Sequence, residues 1–162
     1  MAKREIADIY LKLREQSLGF GSEEIRAAPV VPGGRALGVL MDMGYDTAVA
    51  TVMGLADGTT SMYVSNGGGM LGVGENPAAA AASKRWVEVA EDALDLPEAR
   101  DDDLPADGVI RFNILTTGPR LAGEATEDEL REGTHPLSAL YAAGQDVITQ
   151  VRIVDEARKT DS

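Results

Sequence analysis

The residues of this chain that could do chemistry gather first around a run of glycines. Gly67, Gly69 and Gly72 fall at G-x-G-x-x-G spacing, after a β-rich segment and ahead of a helical one. In a dinucleotide site such glycines permit a tight turn and let main-chain N–H groups approach a pyrophosphate at a helix N-terminus. The surroundings here argue against that chemistry. The segment before the glycines pairs into an antiparallel hairpin rather than a βαβ unit, and Pro77 starts the helix well after the last glycine. The acidic residue due about 20 residues further on lacks its strand context, since Asp101, Asp102 and Asp103 precede the next strand instead. The simpler reading is a backbone device that carries the chain from sheet edge to helix. The alternative is a small-anion or metabolite site at the helix start. There Ser65, Asn66 and the N–H groups of Gly67, Gly68 and Gly69 would face the ligand.

Other reactive side chains are isolated. His135, the one histidine, stands before Pro136 and suits a helix start. None of Ser65, Ser83 and Ser138 lies in a G-x-S-x-G elbow that would pair it with that histidine as a nucleophile. Without cysteine, a lone histidine leaves any transition-metal site dependent on carboxylates, a ligand set that does not suit zinc. Asp101 to Asp103 lack the alternating oxygens, central glycine and final Glu of a calcium loop, and read as a flexible acidic segment. Asp42, Asp46 and Asp57 fall near strand ends and turns, where Asp bonds to local backbone. No catalytic residue, metal ligand or cofactor is expected from these patterns.

The composition narrows the class further. With 162 residues, 44% hydrophobic and 26% charged, the chain can bury a core of its own. The absence of cysteine removes disulfides and thiolate chemistry. A net charge of −12 repels phosphate backbones and anionic lipid, so neither nucleic acid nor membrane is an expected partner. Nine of the 27 acidic residues crowd between Glu88 and Asp107, a solvated stretch or a docking surface for a basic partner. The opening residues, charged and amphipathic, lack the apolar run of a signal peptide, and the expected location is cytoplasmic.

Periodicity places the elements. Ile6, Ile9, Tyr10 and Leu13 share a helical face, with Lys3, Arg4, Lys12 and Arg14 on others; Gly19 and Gly21 end this helix. Ser22 to Arg35 reads as a Pro/Gly connector. Strands are expected over 37–43, 48–55 and 59–65, the last two joined by an Asp57-Gly58 hairpin turn. Asn76 caps a helix with Pro77 in its first turn, which runs to Leu94. Two more strands, 109–115 and 120–125, turn at Thr116-Thr117-Gly118-Pro119. A capping box at Thr126 to Glu129 begins a short helical turn. From Pro136 a long helix carries Leu137, Leu140, Tyr141, Gly144, Ile148, Val151 and Val154 on one face, with Gly144 marking a close approach. The predicted fold is α+β: a five-stranded antiparallel sheet in the order α-β-β-β-α-β-β-α, with helices packed on it. It forms one domain over 1–157 with a frayed tail at 158–162.

The stretch GVLMDMGYDTAVATVMGLADGTTSMYVSNGGGMLGVGE, together with HPLSALYAAGQDVITQVR, resembles a small bacterial protein family of unassigned function. The resemblance runs from about Ala36 to Arg152 and implies no activity. In architecture the element order is similar to roadblock/profilin-like modules, which dimerise or scaffold other proteins, although three strands rather than two precede the middle helix. The expected function is a non-enzymatic protein-interaction or regulatory module, acting as a homodimer or with another protein. Its candidate contacts are the first helix and a sheet edge.

Overall fold

The computed structural model describes residues 4–20, 28–70 and 73–160. Gly21, the connector residues 22–27 and Gly72 of the glycine motif lie outside the described residues. In chain order the elements are α1 (Asp8–Leu18), β1 (Ala36–Gly44), β2 (Val49–Leu55), β3 (Thr60–Val64) and a two-residue strand β4 (Gly69–Met70). There follow α2 (Pro77–Ala90), β5 (Val109–Thr116), β6 (Leu121–Thr126), α3 (Glu127–Glu132) and α4 (Ser138–Thr160). Five full strands and the short β4 form one antiparallel sheet ordered β4-β3-β2-β1-β5-β6. This is the expected α+β fold in the expected order.

The turn chemistry explains the local structure. Gly58 takes φ +92° in the β2–β3 turn, where its N–H reaches Leu55 O at 2.9 Å and Asp57 Oδ1 accepts the N–H of Thr59. Asn76 Oδ1 accepts the N–H groups of Ala78 and Ala79, and Pro77 opens α2. Thr126 caps α3 through the N–H of Glu129, and Gly133 ends it at φ +76°. The last helix begins at Ser138, two residues later than Pro136 suggests, because His135 and Pro136 form a turn ahead of it. It continues to Thr160, with Lys159 on Asp155 at 3.0 Å, so the helix takes in the first residues of the stretch expected to fray.

β1 is buried along its whole length, which is why it reads as an unbroken apolar run rather than an alternation. Its central place between β2 and β5 puts both faces under cover. On one face Met41, Val52, Phe112 and Ile114 join α2 and α4 in the main core. Trp86 of α2 is fully buried there, and its indole Nε1 donates to Leu140 O of α4 at 2.9 Å. Gly144 is the close approach that its place in the stripe suggests: a Cβ there would lie 2.9 Å from Met41 Cε and 3.0 Å from Trp86 Cζ2.

The other face is built differently. Cross-strand register lines up Tyr63, Thr51, Asp42, Arg111 and Glu124 in one row that spans β3, β2, β1, β5 and β6. Here α1 stands off the sheet on its longer side chains, and a small separate cluster of Tyr10, Val49 and Tyr63 forms beneath it, flanked by Ile6, Leu13 and Leu104.

Candidate functional site

The five residues singled out around the glycines form a tight hairpin. Ser65 is buried; its hydroxyl accepts the N–H of Val49 at 2.9 Å, and its carbonyl accepts the N–H of Ala7 at 2.6 Å. Asn66 Oδ1 turns back onto the N–H of Gly68, the local bond that makes Asn a turn residue. Gly67, at φ +101°, donates to Val64 O at 2.9 Å, and Gly68 O accepts the N–H of Val64 at 2.8 Å. Gly69 pairs with Tyr63, and a Cβ on it would fall 2.7 Å from Met62 O. The N–H groups of Gly67 and Gly68 are therefore spent inside the hairpin, and those of Ala78 and Ala79 on Asn76. These four donors have no free hydrogen to aim at an anion.

What the hairpin does present is a wall. Gly67, Gly68 and Gly69 line one side of a groove of about 190 Å³, and Ile9, Leu13, Tyr63 and Val64 line much of the rest. Metabolite sites usually measure about 300–1,000 Å³. This groove accommodates an apolar side chain. At its rim Ile9 is 54% exposed, one of the four large apolar side chains left exposed among the described residues.

Beneath α1 lies the polar assembly of the sheet's second face. Asp42 is fully buried within β1, not at a turn as its sequence context suggests, because the strand carries it to the middle of the sheet. Arg14 donates to it from Nη2 at 2.8 Å and from Nε at 3.2 Å. Thr51 Oγ1 donates to Asp42 Oδ1 at 2.6 Å and shares a 2.7 Å bond with the Tyr10 hydroxyl. Ser17 and Tyr63 bond at 2.6 Å through their hydroxyls. The Asp42 carboxylate is thus fully paired and closed to solvent, a fixed ion pair rather than a free base. Burial opposes the charge of Arg14, yet its bonds to Asp42 and the attraction of that carboxylate outweigh this and raise its pKa.

Burial also pushes the Tyr10 phenol up to about 12, helped by the nearby Asp42 charge. Folding therefore keeps this proton where the unfolded chain has released it. The associated stability is complete below about pH 10, the ordinary tyrosine value, and is lost as pH rises toward 12. A phenolate absorbance titration should show Tyr10 as the last of the four tyrosines to ionise, in a step absent from Tyr10→Phe. Ionisation of every phenol at the ordinary value would contradict the burial of this hydroxyl.

Arginines bond to the acidic stretch through both its carbonyls and its carboxylates. Arg14 donates to the carbonyls of Asp102 at 2.6 Å and Asp103 at 3.2 Å. Arg111 holds Asp101 through its carbonyl at 2.8 Å and its carboxylate at 2.9 Å, and Arg120 pairs with Asp102. Glu91 is engaged on the N–H groups of Arg35 and Ala36. His135 Nδ1 accepts the N–H of Leu137 at 3.0 Å, a helix-start role. Among the described residues, no three His, Asp or Glu side chains converge as a metal site, and no helix is long and apolar enough to cross a membrane.

Sequence reasoning missed Arg14, Asp42, Thr51 and Tyr10 as a unit. One signal was present: Asp42 interrupts an apolar run that is otherwise a buried central strand, and a buried carboxylate demands a cation. No protein-family model, curated protein or solved structure matches this chain.

Proposed function

We propose that the chain is a non-enzymatic protein-interaction module that works as a homodimer, each copy setting Ile9 of α1 into the groove of the other. The observation that carries this reading is the adjacency of the protruding Ile9 to the groove between α1 and the glycine hairpin. A two-fold contact needs knob and hole on the same patch, so that each copy offers what the other lacks. Exposed charges around the patch are mixed, with Asp8 and Glu15 against Lys12, so the overall −12 does not concentrate there. The polar groups that could serve an enzyme also favour this reading. Asp42, Ser65 and His135 each have a structural bond to make.

Light scattering over a concentration series tests it. The wild type should reach the mass of a dimer, and Ile9→Asp should remain a monomer with an unchanged circular dichroism spectrum. A strict monomer at high concentration would remove the homodimer. A metabolite that raises the melting temperature of the wild type but not of Gly68→Val would favour a ligand site instead.

A further inference from the structure

We infer that α1 is a latched strap, able to lift from the sheet while the strands, α2 and α4 stay folded. Arg14 is its latch, and Asp42 with the 101–103 segment is the catch. The inference does not depend on α1 being a dimer contact.

Four observations carry it. First, α1 adds little to the main core. Its buried apolar side chains are Tyr10, which belongs to the separate cluster, and Leu18. Second, its attachment is polar, both within the helix and just ahead of it, where Arg4, Glu5 and Ala7 bond to the backbone of Tyr45, Pro105, Thr47 and Ser65. The guanidinium of Arg14 reaches Asp42 and the carbonyls of Asp102 and Asp103, while the Tyr10 and Ser17 hydroxyls hold Thr51 and Tyr63. Polar bonds of this kind are exchanged for water at small net cost, unlike the burial of a large apolar face. Third, an 11-residue helix is marginal by itself, and Ala7 gives it no side-chain cap. Once lifted, nothing local holds it in shape. Fourth, the closed face is imperfectly satisfied. Arg111 Nε and Asn113 Nδ2, both buried on β5, find no protein acceptor among the described residues, and solvent reaching this face would supply one.

The catch is itself held from the sheet. Arg111 fixes Asp101 and Arg120 fixes Asp102, so the carbonyls that receive Arg14 are set in place by residues that never touch α1. Lifting the strap uncovers Thr51 and the Asp42 carboxylate, turning a closed polar face into an accessible charged one. This makes α1 a regulatory element of whatever meets that face.

The cysteine-free chain allows a direct test by thiol labelling. Ser17→Cys places a thiol on the underside of α1, and Val87→Cys places one on buried α2. The Ser17→Cys thiol should be modified faster than that of Val87→Cys under native conditions. Arg14→Lys, which keeps the charge but loses the fork, should accelerate it by roughly tenfold, as befits the loss of a charge-assisted hydrogen bond. Arg120→Leu should accelerate it too, because Arg120 pairs with the Asp102 carboxylate that helps to set the catch. Equal labelling rates at Ser17→Cys and Val87→Cys would mean that α1 leaves only on global unfolding, and would overturn the strap. An unchanged rate in Arg120→Leu would overturn the catch.

Discussion

Trp86→Ala is expected to lower the unfolding free energy by about 3–5 kcal/mol, the usual cost of removing a large buried aromatic side chain. The indole is fully buried where the sheet, α2 and α4 meet. A Cβ on Gly54 of β2 would stand 2.9 Å from its Cε3, and one on Gly144 of α4 would stand 3.0 Å from its Cζ2, so both neighbours are pared down to receive the ring. With backbones this close on either side, the space cannot collapse onto alanine. The bond from Nε1 to Leu140 O disappears as well. Trp86→Phe should cost less, since it keeps most of the apolar area and loses mainly that bond, worth about 1 kcal/mol. Urea unfolding followed by circular dichroism provides the measurement, because the variants lack the only tryptophan. A loss below 1 kcal/mol in Trp86→Ala would show that the sheet, α2 and α4 do not meet on this ring.

Arg14→Met should cost a comparable amount, about 3–5 kcal/mol, for an electrostatic reason. It leaves the fully buried Asp42 carboxylate with the Thr51 hydroxyl and no cation to offset its desolvation. The double variant Arg14→Met/Asp42→Leu should recover most of the loss, because apolar groups of similar volume can replace a buried pair at little cost. A double-mutant cycle in urea separates the two effects. Additive losses would contradict a direct pairing of these residues. A single loss within experimental error of zero would mean that Asp42 reaches water without Arg14, either with α1 in place or with α1 lifted.

Much of the architecture was legible in the sequence because it depends on short-range chemistry. Asp57-Gly58 specifies its turn through one positive φ, and Asn76-Pro77 specifies a helix start through one cap and one missing donor. Gly144 within an apolar stripe pointed correctly to a close approach. The glycine run was harder to read. G-x-G-x-x-G spacing says that backbone must turn or approach something closely, but not what. Here the something is the chain itself, with Gly67 closing a hairpin and Gly69 lying against β3.

The polar row was beyond local reasoning for a different cause. Arg14 and Asp42 are 28 residues apart, and Arg14 reaches Asp103 across 89. Those contacts exist only because β1 sits at the centre of the sheet and β5 returns beside it. An arginine on an amphipathic helix ordinarily faces water, and a run of three aspartates ordinarily does the same. Each is held here by the other side of the fold, a fact set by strand order rather than by either segment's composition.

The most direct test of the interaction module is a spin label on Lys12→Cys, an exposed position of α1 in a chain without other thiols. Dipolar spectroscopy should report a short, well-defined separation between labels on two copies, lost when Ile9→Asp is added. A dimer with its labels far apart, or a signal with no inter-copy distance at all, would contradict an α1-to-groove contact.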